Sequence, residues 1–211
     1  MLKEMCMSKK IIGDVDLTNL YLKRLPDILK DITVSGNFGC GNNNLTSLQG
    51  APTNVDGTFD CRFNKLTTLE GAPKTVSGHF YCGLNKLTSL INAPTNVGGN
   101  FRCAYNKLTS LEGAPKFVGG NFNCSDNKLT SLVGAPTNVD GNFYCNANRL
   151  ISLKGAPTNV VGRFDCSNNN LTSLDGAPKT VGGHFYCNDN PGKFTVKQVR
   201  AVCDVKGKVY V

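Results

Sequence analysis

The chain has 211 residues, with 23 lysines and arginines against 15 aspartates and glutamates for a formal charge of +8, and ten cysteines but no tryptophan. It lacks the apolar run of about 18 residues that a membrane span needs, and its start, Met1-Leu2-Lys3-Glu4, lacks the apolar stretch of a secretion signal; a cytoplasmic location and no membrane partner are expected. Much of the positive charge sits near the ends, at Lys3, Lys9, Lys10, Lys193, Lys197, Arg200, Lys206 and Lys208, and by itself reads as solvated tails.

In chain order, residues 1–11 read as a flexible basic arm and residues 12–37 as an N-terminal capping coil. Val15, Leu17, Leu20, Leu22 and Leu25 reproduce the spacing that Phe59, Cys61, Asn64, Leu66 and Leu69 keep further on, with a leucine where later coils have asparagine. Pro26-Asp27-Ile28-Leu29 stands where those coils have Gly-Ala-Pro, and Leu25 to Val34 is two residues longer than Leu69 to Val76.

Residues 38–190 repeat with a 21-residue period, marked by Cys40, Cys61, Cys82, Cys103, Cys124, Cys145, Cys166 and Cys187. The unit LTSLxGAPxxVxGxFxCxxNx runs without insertion or deletion from Leu45 to Asn190. Such a period is the mark of a solenoid, in which stacked coils bury what one coil alone could not. Leu45, Leu48, Val55, Phe59 and Cys61, and their copies Leu150, Leu153, Val160, Phe164 and Cys166, are the expected core. The apolar and polar alternation around Phe59 and Cys61 predicts a strand of about five residues. Gly50-Ala51-Pro52 and its copies predict a return path with no helix of two turns, because proline removes an amide donor and holds the preceding residue extended. The glycine column from Gly36 to Gly183 predicts a positive φ or a bulge where the chain enters each strand.

An asparagine stands three residues after each cysteine, from Asn43 to Asn190. With it, FxCxxNxLTSLxGAP resembles the LxLxxNxL signature of leucine-rich repeats. The short period and the proline look most like the bacterial subclass found in secreted effectors, although those have a leucine three residues before the strand position where this chain has Val55 four before Phe59. The GAPxxVxGxFxCxxN version is similar to leucine-rich repeat proteins encoded by tailed bacteriophages and prophages. The resemblance implies a horseshoe or arc of short parallel strands with a mostly non-helical convex side. It also implies an asparagine ladder joining backbone groups of neighbouring coils; an unpaired buried group there would cost about 1–3 kcal/mol.

Residues 191–211 break the period and read as a C-terminal cap, with a short helix within Lys193 to Cys203 and a final strand at Val209-Tyr210-Val211. About nine coils in one domain result.

A straight row of cysteines cannot surround zinc, and in-register Cβ vectors run parallel rather than converging on a disulfide. Buried reduced thiols are expected, with Cys6 and Cys203, outside the row, the more reactive. His79 and His184 share a column five coils apart, about 24 Å at the usual strand spacing, too far to share a metal or a proton. No catalytic residue, metal or cofactor is expected, and no enzyme activity.

What varies is the outward face. Arg62, Phe63, His79, Tyr81, Leu84, Arg102 and Tyr105 gather on neighbouring coils, with Tyr144 further along, and exposed aromatics beside arginine have the composition of a protein-binding hot spot. Lys65, Lys86, Lys107, Lys128 and Arg149 form a basic stripe on one edge. A strand face of about 500 Å² is smaller than the roughly 800 Å² a standard partner covers, so a partner must also touch a flank or a cap. The expected function is a protein-binding scaffold, phage-encoded and directed at a host protein such as a defence or regulatory factor. A nucleic-acid module using the stripe and a virion component are the alternatives, and the oligomeric state stays open.

Overall fold

The computed structural model describes residues 9–211. They wind into ten coils whose phenylalanine strands form one continuous ten-stranded parallel sheet, from Val15–Asp16 through Phe38–Gly39 and Phe59–Asp60 to Phe185–Tyr186 and Val209–Tyr210. The register is one coil per step, so that Phe59 lies beside Phe80 and Phe80 beside Phe101.

Each strand is two residues long rather than five, and each coil carries a second strand centred on the valine. The valine strands form a six-stranded parallel sheet from Lys9–Ile11 to Phe117–Val118 and a four-stranded one from Asn138–Val139 to Asp204–Val205. A bend at Asp56-Gly57 separates the two strands of a coil. Backbone pairing nevertheless runs past each short strand: Phe59 N–H donates to His79 O at 2.8 Å and Cys61 N–H to Tyr81 O at 2.9 Å.

The glycine at that bend does not adopt a positive φ, which corrects the expectation. Its reason is close stacking: a Cβ on Gly57 would stand 2.6 Å from Gly36 O, and one on Gly78 2.6 Å from the Gly57 carbonyl carbon. Without side chains the glycines bond directly between coils, Gly57 N–H to Gly36 O at 3.0 Å and Gly78 N–H to Gly57 O at 3.1 Å. The positive φ falls instead on the Gly-Ala-Pro glycine, +88° at Gly50, inside a turn closed by Ala51 N–H on Leu48 O at 2.9 Å. That is the pattern of a type II turn, whose third residue needs glycine or asparagine. Where the glycine is missing, Asn92 takes the same conformation at φ 72°.

The core is a set of columns. Phe38 to Phe164 stack ring on ring with centroids 5.3–5.6 Å apart, and the leucine, valine and cysteine columns beside them are buried from end to end. The eight repeat cysteines and Cys203 are free and buried. Thiols such as that of Cys61 donate to the carbonyl of the next coil, here Tyr81 O at 3.3 Å. Burial drives the Cys61, Cys82, Cys124, Cys145 and Cys166 thiols far up from the ordinary range.

The asparagine column is a ladder. Asn64 Nδ2 donates to Cys40 O of the preceding coil at 3.0 Å and to Cys61 O of its own at 3.2 Å, while its Oδ1 accepts from Leu45 N at 2.9 Å. The first coil carries Leu20 where later coils have asparagine; its own N–H and that of Leu22 donate to Asn43 Oδ1.

Both ends differ from expectation in part. The basic arm assigned to residues 1–11 ends in a strand, Lys9–Ile11, whose backbone pairs with Ile32–Val34; Cys6 and the rest of the arm lie outside the described residues. At the other end Thr195 and Gln198 form a capping box for the helix Val196–Val202. The chain then rejoins both sheets at Asp204–Val205 and Val209–Tyr210, which makes ten coils rather than nine. Arg200 fastens the helix to this last coil by donating to Val205 O and Gly207 O at 2.6 and 2.8 Å. Cys203, expected to be reactive, is 2 % exposed, and burial raises its thiol to about 11.

Candidate functional site

The residue after each phenylalanine points away from the core, so register alone places Asp60, Tyr81 and Arg102 in adjacent positions of one outward row. The Arg62 guanidinium lies 4.9 Å from the Tyr81 ring centroid and that of Arg102 lies 5.4 Å from it. The His79 ring stacks on Tyr81 with centroids 5.4 Å apart. Asp60 holds Arg62 through Nε and Nη2, with the shortest contact 2.6 Å. A tyrosine between two guanidiniums is a cation–π arrangement worth about 0.5–1 kcal/mol per exposed contact. It also presents the N–H groups of Arg102, which forms no ion pair among the described residues, to an acceptor on a partner.

His79 has a second task. Its Nδ1 accepts the Asn100 N–H at 2.8 Å, the role that Asn100 and Asn121 play for Asn121 N–H and Asn142 N–H in their coils. An acceptor at Nδ1 requires the proton on Nε2, so His79 is a rung of a side-chain ladder as well as a surface ring.

Phe63, Leu84 and Tyr105 occupy the second position after cysteine and are 54, 38 and 56 % exposed. The whole column, Asn42 to Asp189, lies in the left-handed region with φ of 51–57°. Asparagine and aspartate tolerate that conformation, but for a bulky side chain it costs of order 1–2 kcal/mol. Only in these three adjacent coils does the column carry large apolar residues. The left-handed backbone was not anticipated, although Asn42, Asp126, Asn168 and Asp189 in the column signal it. Tyr144 is not part of the cluster; it stands two coils beyond Arg102, with Asn123 between them.

The lysine column borders the turn. Backbone amides of Lys65, Lys86, Lys107, Lys128 and Arg149 bond the preceding coil at 2.8–2.9 Å, which lines up five exposed cations in successive coils. None of them pairs with a carboxylate among the described residues.

A second aromatic cluster was missed. Tyr186 stacks on Tyr210 with centroids 4.3 Å apart, His184 meets both rings edge-on, and the Arg163 guanidinium lies 4.4 Å from the Tyr186 centroid. The repeated His-Phe-Tyr-Cys of Cys82 and Cys187 pointed to half of it. Tyr210 arrives only after the helix has broken the period. Among the described residues no group of three or more histidines, cysteines, aspartates or glutamates could hold a metal ion, and no helix is long and apolar enough to cross a membrane.

No family model matches the sequence, and no curated protein matches it. Among the solved structures that do match, YopM from Yersinia enterocolitica WA-314 is similar over 84 % of this chain and 38 % of its own, with a TM-score of 0.62 at 22 % identity. The chain thus spans well under half the length of that protein, and at this identity the likeness speaks for the fold alone. The fold is that of leucine-rich repeat proteins, an arc of short parallel strands with a small C-terminal helix.

Proposed function

We propose that the protein is a non-enzymatic binding scaffold of the bacteriophage type, an adaptor or inhibitor that engages a host protein, such as a defence or regulatory factor, in the host cytoplasm. The observation that carries this reading is the Arg62, Tyr81 and Arg102 stack beside exposed Phe63, Leu84 and Tyr105, a variable surface on an otherwise constant set of coils. The similarity of the GAPxxVxGxFxCxxN unit to phage-encoded repeats supports the origin, and the leucine-rich repeat fold supports a protein partner in general. Affinity capture from host lysate tests it. A specific partner retained by the native chain is lost with Tyr81→Ala plus Arg102→Ala, and a partner that survives that pair refutes the site. The lysine stripe, without ion-pair partners among the described residues, favours a second reading, nucleic-acid binding. There, capture is nuclease-sensitive, falls steeply with salt, and is lost with Lys86→Glu plus Lys107→Glu.

A further inference from the structure

We propose that the edge formed by Phe63, Leu84 and Tyr105 with Lys65, Lys86 and Lys107 docks an acidic amphipathic α-helix, lying along the solenoid axis at one helical turn per coil. This rests on the protein-binding reading above and names the partner's chemistry.

Three observations converge on it. The first is spacing. Successive coils are separated by about 4.8 Å at paired strands and by 5.4 and 5.5 Å at the Phe59, Phe80 and Phe101 rings. A helix repeats every 5.4 Å. An extended peptide repeats a side chain on one face only every 6.6 Å or so, and would drift out of step within the three coils that carry the apolar residues. The second is charge. From the outward row to the lysine column these coils carry Arg62, Arg102, Lys65, Lys86 and Lys107 against a single carboxylate, Asp60, which Arg62 already holds; Glu70 and Glu112 lie further on, in the Gly-Ala-Pro turns. The apolar and cationic columns are two residues apart, no more than about 7 Å, which suits a helix whose apolar stripe is flanked by an acidic one. The third is placement. Large apolar side chains sit half-exposed at φ 56–57°, where the same column elsewhere uses asparagine, aspartate or alanine. Backbone strain retained at an exposed position points to a use for that side chain.

The complementary sequence is therefore an apolar residue followed by an acidic one, recurring every three or four positions. The test is selection from a displayed peptide library, half of it helix formers and half proline-interrupted extended chains, each half spanning acidic to basic composition. Binding is measured by fluorescence anisotropy on the full chain and on Phe63→Asn plus Tyr105→Asn. Asparagine is native to this column at Asn42 and Asn168, so the double variant keeps the fold, which circular dichroism checks. Enrichment of acidic helix formers with that periodicity, weakened about tenfold or more by the double variant, supports the proposal. Enrichment of extended or basic peptides that still depend on Phe63 and Tyr105 overturns the helix while leaving the binding edge standing. An empty selection, or binders indifferent to the double variant, overturns both. A single-stranded oligonucleotide that displaces the peptides with a steep salt dependence overturns the protein partner in favour of nucleic acid.

Discussion

Alkali should unfold this protein through its thiols. Cys40, Cys61, Cys82, Cys103, Cys124, Cys145 and Cys166 are each 0 % exposed, and burial, the largest cause at every one, raises their pKa far above the ordinary 9.0. In the folded chain they keep their protons; in the unfolded chain they ionise as the pH passes 9. A group whose folded pKa is raised contributes its full stability below the unfolded value and loses it above, because the unfolded state then binds fewer protons. With 1.36 kcal/mol per pKa unit, each such thiol costs about 0.4 kcal/mol at pH 9 and about 1.4 kcal/mol at pH 10. The seven together remove about 3 and about 10 kcal/mol, against a stability of about 5–15 kcal/mol for a typical domain. Urea unfolding followed by far-ultraviolet circular dichroism under reducing conditions should show stability nearly level up to pH 8. The loss then steepens toward a limiting slope of about 9–10 kcal/mol per pH unit. The triple replacement of Cys82, Cys103 and Cys124 by alanine starts less stable, because it opens cavities, but its limiting slope falls by about three sevenths. An unchanged slope in that variant, or a native chain that passes pH 10 without loss, would refute the burial of protonated thiols.

Other perturbations separate the structural columns from the binding ones. Phe63→Asn should raise stability by about 1 kcal/mol in chemical denaturation, since it relieves a bulky residue at φ 56°; a loss would mean that the ring earns its place by packing. Asn127→Ala should cost about 1–3 kcal/mol, because Leu108 N–H, held by Asn127 Oδ1 at 2.9 Å, is left buried without an acceptor; a neutral effect would argue against the ladder. Gly78→Ala should cost about 1–3 kcal/mol or more, its Cβ arriving 2.6 Å from the Gly57 carbonyl carbon, and an unchanged melting temperature would refute backbone-on-backbone stacking. His79→Asn should melt like the native chain, whereas His79→Ala, without an acceptor for Asn100 N–H, should lose about 1 kcal/mol.

The periodicity alone determined the stacking. Because the period never slips, Phe59, Phe80 and Phe101 have nowhere to go but beside one another, and the same logic buried the thiols, aligned the asparagines and put Tyr81 next to Arg102. The cluster was legible to that extent, since a column position and a coil number locate a side chain in a solenoid. Backbone conformation was not legible in the same way. The Gly57 column looked like a strained bend and proved to be a close approach between coils, a fact about the neighbouring chain that no local pattern carries. The left-handed turn at Phe63 recurs in each coil from Asn42 to Asp189 and accompanies backbone pairing between coils, as where Phe63 O accepts Asn43 N–H at 3.2 Å, and it overrides what phenylalanine, leucine and tyrosine would choose alone. The C-terminal cluster depends on Tyr210 returning to the sheet after a helix of different period. That return is decided by free edges at Thr180–Val181 and Phe185–Tyr186 seeking hydrogen bonds. Repetition in sequence thus dictates which coils touch, while contact between backbones dictates the shape each residue must take to allow it.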